Sequence, residues 1–525
     1  MPLAAPESAA APPEAFPLQA RDGRPVGVVH LAGELAPYAR TGGLGEAVAS
    51  LAAHQAASGL STSIVMPLYR QARARVPELV PVGDPYEVQV GFRRELAQLY
   101  TVPAVSTRDG AEERRTRTRP RHYFVANDYY FERAGIYGEG GGDYGDNARR
   151  YAFFCAAALA ALPRIAIGPL VLHAHDWHAS LAPTYLRTWY ATHPYYREVS
   201  TVLSVHNAGF QGHFDPGTVP DLGLPWEVFN WQQLEWYGKL NLLKGGLAFS
   251  DAVITVSPNH ATELRTPAGG FGLHDAFRAL GDRFTGIVNG IDQNIWDPER
   301  DPRIAARYSR DDLSGKHECR LALQRMYRLP ERPDVPIFVM SARLVWQKGL
   351  DLLLADTGFF DLDAQFIFLG AGEQRYEDAL RAREARAPER IRVDTAFSDV
   401  KEHQLIAGGD VLLMPCQYEP CGLTQMRAQR YGTLPLVRAV GGLADTVEHG
   451  ATGFIFRAYD AGAFVAGVIR ALRTWQDRAA WQAMMREAMA RDFGWARSEE
   501  RYLAVYRRVM QDAVAGGAPV VAPTA

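Results

Sequence analysis

Short runs of apolar, β-branched residues recur along the chain, spaced to leave room for a helix between them. Residues 26–31 (VGVVHL) form the first and end in a glycine-containing loop; residues 45–57 then carry apolar positions at helical spacing. That is a strand, a loop and a helix. The pattern recurs at residues 61–66, 170–173, 200–205, 252–256 and 284–288, and such runs suit parallel strands buried on both faces. After Asn289-Gly290-Ile291-Asp292 and a polar stretch rich in Asp, Arg and Pro, a second series begins at residues 335–341 (VPIFVMS). It continues at 365–369, 391–393, 411–414 and 434–437, with amphipathic segments such as 375–386 between. Two doubly wound α/β domains joined near residue 295 are predicted. Ligands of open parallel sheets bind outside the carboxyl ends of the strands, so two facing domains imply a cleft between them. Residues after Trp475 read as helical to Asp512.

Length and charge narrow the classes. A chain of 525 residues, 47% hydrophobic and 22% charged, exceeds what one compact core holds. The 56 basic and 59 acidic residues leave a formal net charge of -3, so no global field favours nucleic acid or an anionic membrane. Phosphate recognition must be local. No stretch approaches the ~18–20 apolar residues of a membrane span. Cys155, Cys319, Cys416 and Cys421 are scattered, which suits reduced cytoplasmic thiols better than a disulfide framework. Residues 1–24, rich in Ala and Pro, lack the basic start and apolar run of a signal peptide and are expected to be a disordered extension. Residues 513–525 read the same way. The Arg-rich residues 108–121 read as an exposed hairpin or loop.

Four segments could carry chemistry. Arg40-Thr41-Gly42-Gly43-Leu44-Gly45-Glu46 follows a strand and opens a helix; its glycines would allow positive φ and close backbone approach, and helix N–H groups beside a cation suit an anion. A structural glycine turn is the plain alternative. His173-Ala174-His175-Asp176-Trp177-His178 ends one strand and His206-Asn207 another. The histidine spacing matches no usual zinc pattern, and sugar-hydroxyl recognition fits better than metal, with His173 and His175 open to a purely core role. Ser341 to Gly349 (SARLVWQKG) sets Arg343, a planar fork, and Lys348, a compact charge, beyond a strand where they could neutralise a diphosphate. Gln417 to Thr424 (QYEPCGLT) sets Glu419 before a Gly-Leu-Thr helix start whose N–H groups could take phosphate oxygens. Cys421, at that helix start, could be a nucleophile or simply line the site.

In this order the segments resemble the bacterial glycogen and plastid starch synthases, retaining glycosyltransferases of GT-B architecture, over residues 26 to 510. Also matching are SVHNAGFQG from Ser204, LLKGGLAFSDAVITVSP from Leu242, VNGIDQNIWDP from Val288, YEPCGLTQMRAQRYGTLPLVR from Tyr418 and GGLADTV from Gly441. The resemblance implies two Rossmann-like domains facing across a deep cleft. Residues 25–294 would take the acceptor and donor glucose, residues 295–490 the nucleotide diphosphate, and a terminal helix at 491–512 would cross back to the N-terminal domain.

The implied reaction moves glucose from ADP-glucose to the 4-hydroxyl at the non-reducing end of an α-1,4-glucan, without cofactor or metal, in the cytoplasm. Arg343 and Lys348 would bind the diphosphate. His206, Asn207 and Asp176 would hold the donor glucose, with Glu419 on its other side. Gly42, Gly43, Leu44, Cys421, Gly422, Leu423 and Thr424 would line phosphate and glucose with Arg40 and Asn289, and Phe397 would lie near the base. Two departures stand out: many members carry Lys at the position of Arg40, and the wider class often has a second Glu where this chain has Arg427. The competing readings are a UDP-glucose donor, a small acceptor, or a catalytically silent glucan-binding regulator on the same fold. Intact Arg343, Lys348, Glu419 and His206 speak against the last.

Overall fold

Side-chain alternation in the strand Ile337–Ser341 shows how the second half of the chain is built. Phe338 and Met340 join one buried cluster with Phe366, Phe368, Leu380 and Phe464, whereas Ile337 and Val339 join another with Ile367, Leu369, Leu405 and Met426. Four successive apolar positions therefore feed two cores, one on each face of the sheet. Each fully buried Phe or Leu contributes about 2 kcal/mol.

The computed structural model describes residues 18–76, 78–103, 118–355 and 358–515. Packing divides them into two units: Met1–Ser204 with Phe210–Val253 and Glu499–Ala525, and Val205–Gly209 with Ile254–Ser498. In the first, the parallel strands Arg121–Ala126, Thr62–Pro67, Gly27–Leu31, Leu170–His175 and Val199–Val205 lie side by side in that order. Counted along the chain the order is 3-2-1-4-5, so the winding reverses between Gly27–Leu31 and Leu170–His175. Beyond Arg121–Ala126 the sheet turns antiparallel through Arg93–Thr101, which pairs with Val80–Pro81 and Tyr86–Val90. The second unit holds a six-stranded parallel sheet in the order Ile391–Asp394, Gln365–Leu369, Ile337–Ser341, Val411–Met414, Leu434–Arg438, Phe454–Phe456. Its winding reverses between Ile337–Ser341 and Val411–Met414. Both sheets are thus doubly wound, and a reversal of this kind opens a crevice at the carboxyl ends of the two strands beside it.

Most of the expected N-terminal extension, residues 108–117 of the Arg-rich segment and the tail from residue 516 lie outside the described residues. Residues 18–24 depart from the expected disorder: Leu18 is buried, Gln19 bridges Pro25, and Arg24 pairs with Asp22 and Glu198. One apolar anchor and three charges are enough to hold this turn. Residues 513–515 also depart from the expected tail, because the last helix runs Trp495–Ala515, and from Glu499 onward it belongs to the first unit. There the Tyr506 hydroxyl meets His173 Nδ1 at 2.8 Å and accepts from Gln55 Nε2 at 3.1 Å. No helix among the described residues is long and apolar enough to cross a membrane.

Candidate active site

In the first unit, the loop after Gly27–Leu31 and the end of the neighbouring Leu170–His175 meet at the winding reversal. The first carries Arg40 and the glycines and leads into the helix Gly43–Ala57; the second ends in Asp176. The organising residue is one that the sequence reading passed over, Glu34. Buried beneath the loop, it accepts hydrogen bonds from Thr41 N and Thr41 Oγ1, both at 2.7 Å, and from Tyr137 Oη at 2.6 Å. Its signal was a carboxylate three residues past a buried strand.

Positive φ, which these glycines would allow, is not adopted at Gly42, Gly43 or Gly45. Gly42 is extended at φ -158, and a Cβ added there would meet nothing within 4 Å. Its missing side chain therefore leaves open space above the loop. Arg40 stands 3.7 Å from Glu46, and Leu44 opens the helix. Asp176 does take the left-handed conformation, φ 55, which Asp tolerates better than most residues.

His173 and His175 are core histidines. His30 Nδ1 lies 3.0 Å from His175 Nε2, His30 Nε2 lies 2.8 Å from Gln55 Oε1, and His173 Nε2 lies 2.7 Å from Ser204 Oγ. The three rings are close enough to hold an ion. A cation there would have to break this network, since both nitrogens of His30 and of His173 are already engaged. Burial pushes His30 down to about 4, so the ring is neutral at pH 7. His178 is held at about 3 by burial and by the nearby Arg150, and its buried Nδ1 has no partner among the described residues.

The second unit gathers most of the remaining candidates around its own winding reversal. Lys348 Nζ, on the turn Trp346–Lys348 after Ile337–Ser341, lies 2.5 Å from Glu419 Oε2, beyond the end of Val411–Met414. Their side chains are 17% and 10% exposed. Burial pulls the ammonium pKa down, but the Glu419 charge outweighs it, and the net shift is upward. Arg343 is exposed on the same loop and makes no ion pair among the described residues. One cation is thus held by a carboxylate and one left available.

The Gln417 to Thr424 loop is fixed from several sides. Gln347 Nε2 donates to Tyr418 O at 3.2 Å and Arg438 Nη1 donates to Gln417 O at 2.6 Å. The helix Gly441–Thr446 approaches so closely that a Cβ on Gly441 would sit 1.9 Å from Glu419 O and one on Gly442 2.2 Å from Cys421 O. Only glycine permits this contact, which anchors the backbone of Glu419 and Cys421. Leu423 and Thr424 begin the helix Thr424–Arg430, where the first amides have no intrahelical acceptor. Cys421 is buried and its thiol is pushed up to about 12, so it is protonated at neutral pH.

Asn207, itself part of this unit, bonds to the Tyr418 hydroxyl, and the Tyr418 ring packs edge-on to Phe271 with centroids 5.0 Å apart. His206 is held at about 4 by desolvation and is therefore a neutral imidazole. Asn289 bonds to Cys421 through its backbone, while its buried Oδ1 has no hydrogen-bond partner among the described residues. Phe397 is exposed beyond the end of Ile391–Asp394. Arg427, where a second Glu is common in the wider class, lies buried 3.4 Å from Glu402 and over the Trp296 ring. Phe271, and the contacts of Tyr418 with it and with Asn207, escaped the sequence reading because nothing local links residues so far apart in the chain.

Comparison with known proteins gives the family and the fold. Residues 27–279 match the family described as starch synthase catalytic domain, and residues 326–488 match glycosyl transferases group 1. A glycogen synthase of Anaeromyxobacter sp. (strain Fw109-5) is 42% identical over 91% of this chain and 98% of its own length. One from Desulforamulus reducens is 36% identical over 92% and 98%. The catalytic domain of starch synthase IV from Arabidopsis thaliana, bound to ADP and acarbose, superposes with a TM-score of 0.83 at 29% identity, covering 93% of this chain and all of that one. Matching motifs, matching sheets and relatives of this similarity over nearly the whole length lead to one conclusion: the chain belongs to the glycogen and starch synthase family of glucosyltransferases.

Proposed function

We propose that the protein transfers glucose from ADP-glucose to the 4-hydroxyl at the non-reducing end of an α-1,4-glucan, with retention of configuration. The observation that carries the site assignment is the Lys348–Glu419 pair at the winding reversal with Arg343 exposed on the same loop. Two cations suit a diphosphate, and a carboxylate beside them suits developing positive charge at the sugar.

In this reading residues 295–490 serve the nucleotide diphosphate and residues 25–294 the acceptor and the donor glucose. Arg343 and Lys348 bind the diphosphate, helped by the amides of Gly422, Leu423 and Thr424. His206, Asn207 and Asp176 hold the donor glucose, and Arg40, Gly42, Gly43 and Leu44 lie against phosphate and sugar. Asn289 Oδ1, buried without a partner, accepts from a donor hydroxyl, since an unsatisfied buried acceptor is costly unless a ligand fills it. Phe397 offers its exposed ring to the base. Cys421 lines the site as a neutral thiol.

The acceptor O4 attacks C1 of the donor on the face from which the phosphate departs. The bond between C1 and the phosphate oxygen breaks as the new C1–O4 bond forms, and the acceptor proton passes to the leaving diphosphate. Glu419, held by Lys348, stabilises the oxocarbenium-like centre and forms no covalent bond. The four cysteines, all unpaired and buried, fit the reducing cytoplasm in which this reaction is proposed to run.

The test is transfer of radiolabelled glucose to glycogen from ADP-glucose and, separately, from UDP-glucose, without added metal. Label incorporated from ADP-glucose and released by α-amylase is expected. A preference for UDP-glucose overturns the donor assignment, and no incorporation from either donor overturns the enzyme.

A further inference from the structure

Two sequence neighbours of the Lys348–Glu419 pair are aromatic, and neither joins the two buried clusters of the second unit. Trp346, two residues before Lys348, is 46% exposed; Tyr418, directly before Glu419, is half-buried. Their rings meet edge-on with centroids 6.1 Å apart, and Tyr418 meets Phe271 in the same way at 5.0 Å. The three rings form a row beside the pair, close enough that the charges of Lys348, Glu419 and Arg343 all act on the Tyr418 hydroxyl.

The row is firmly held. Trp346 N donates to Glu373 Oε1 at 3.3 Å, and Gln347 Nε2 ties the two loops together at Tyr418 O. Asn207 bonds to the Tyr418 hydroxyl while its Oδ1 accepts from Gly209 N at 2.9 Å. A Cβ added to Gly209 would come 3.0 Å from Tyr418 Oη and 3.6 Å from Phe271 Cε1, so this turn packs directly on the rings. Cys416 Sγ donates at 3.8 Å to Glu419 Oε2, the oxygen that Lys348 also holds.

Phe271 is the strained member. Its φ of 50 lies in the left-handed region, where a bulky residue is an outlier, and glycine would relax the backbone. Strain of this kind concentrates at functional sites. Trp346 raises a similar question, since a half-exposed indole adds nothing to either core. Rings that meet edge-on use up one another's faces, so the row makes a closed apolar wall rather than a series of open stacking platforms.

Such a wall matters because the proposed reaction has a competitor. Water reaching C1 in place of the acceptor would form the new C1–O bond as the bond to the phosphate oxygen breaks. Its proton would pass to the leaving diphosphate, and the products would be free glucose and ADP. Solvent greatly outnumbers glucan chain ends, so a site that supports an oxocarbenium-like centre has to keep water out.

We propose that Trp346, Tyr418 and Phe271 are specificity-determining residues that exclude water from the Lys348–Glu419 site and so protect ADP-glucose from hydrolysis. This rests on the transfer reaction proposed above.

The experiment incubates wild type, Phe271→Gly, Trp346→Ala and the double variant with ADP-glucose and no glucan, and measures free glucose. Transfer to glycogen is measured in parallel. Glycine suits the left-handed position and Trp346 lies outside the cores, so the double variant should fold, with circular dichroism as the check. It should release free glucose about tenfold faster than wild type, a gain that damage to the fold cannot produce. Adding Lys348→Met should bring the release back to the wild-type level or below. Release no faster than in wild type overturns the proposal, and if transfer alone falls the rings are acceptor contacts instead. Release that survives Lys348→Met also overturns it, because the water would then be attacking elsewhere. A wild-type protein that transfers no glucose would refute the proposed function itself, an outcome distinct from any of these.

Discussion

Replacing Lys348 by Met keeps the length of the side chain and removes its charge, and two consequences of different size follow. The Lys348–Glu419 contact is 2.5 Å long with both side chains mostly buried, so the variant strands a carboxylate. Breaking a buried pair costs ~3–5 kcal/mol, and residual exposure brings this to about 2–3 kcal/mol. At ~2–4 °C per kcal/mol for a unit of this size, Tm should fall by about 5–10 °C. Separately, losing a charge aimed at the leaving diphosphate should lower kcat about 10²–10³-fold. The double variant Lys348→Met/Glu419→Gln separates the effects. It leaves no stranded charge, so stability should return to within about 1 kcal/mol of wild type while kcat stays low. Thermal unfolding and initial rates at saturating ADP-glucose measure both. Recovery of kcat to within tenfold of wild type in the double variant would refute the reasoning, because Lys348 would then act only as a partner for Glu419. The pair should be intact at neutral pH: the folded-state pKa of Lys348 is raised, so its stabilisation is fully present below the ordinary lysine value and is lost only as pH climbs through the raised one.

Gly42→Ala meets no steric obstacle, so Tm should move by under about 2 °C; KM for ADP-glucose should rise about tenfold if the donor passes over this loop, and unchanged kinetics would remove Gly42 from the site. Cys421→Ser should keep kcat within about threefold of wild type, since the thiol, held at about 12, is not the attacking group; loss of all turnover in a folded variant would reinstate the nucleophile. His30 is held at about 4 and His178 at about 3, so the unfolded chain binds more protons below the ordinary histidine value and stability should fall as pH drops from 6.5 toward 4. His30→Gln should lessen that slope by up to ~1.4 kcal/mol per pH unit, measured by urea unfolding at each pH; an unchanged slope would mean the ring is already protonated in the fold.

The apolar runs made most of both parallel sheets legible, all but Arg121–Ala126 and Phe454–Phe456, because a strand buried on two faces carries its signal on both, as residues 366–369 do. The antiparallel edge was harder. In Tyr86–Val90 buried and exposed positions alternate, and a search for continuous apolar runs passes over such a half-buried strand. Candidate residues next to a strand end, such as Arg343, Lys348, Glu419 and Asp176, could be read from position alone. Glu34 was equally readable and was missed because glycines, not carboxylates, were taken to organise the loop. The positive φ that Gly42 and Gly43 would allow is not used, because a glycine-rich sequence says only that the backbone is free to turn, and here it remains extended or helical. The Asn207–Tyr418 bond depends on the path of the whole chain, and no local pattern encodes it.

The last helix gives synthesis a timetable. Tyr506 closes hydrogen bonds to His173 and to Gln55, residues made early in translation. At ~5–20 residues per second, the roughly 300 residues separating Ser204 from Tyr506 take about 15–60 s to make. Until that helix is made the first unit lacks the element that covers His173, while the second unit, ending at Ser498, is complete in sequence a few residues sooner. The half of the protein that begins first is therefore finished last, and a chain cut short within the final helix after Ser498 would keep every residue of the second unit while leaving the first open.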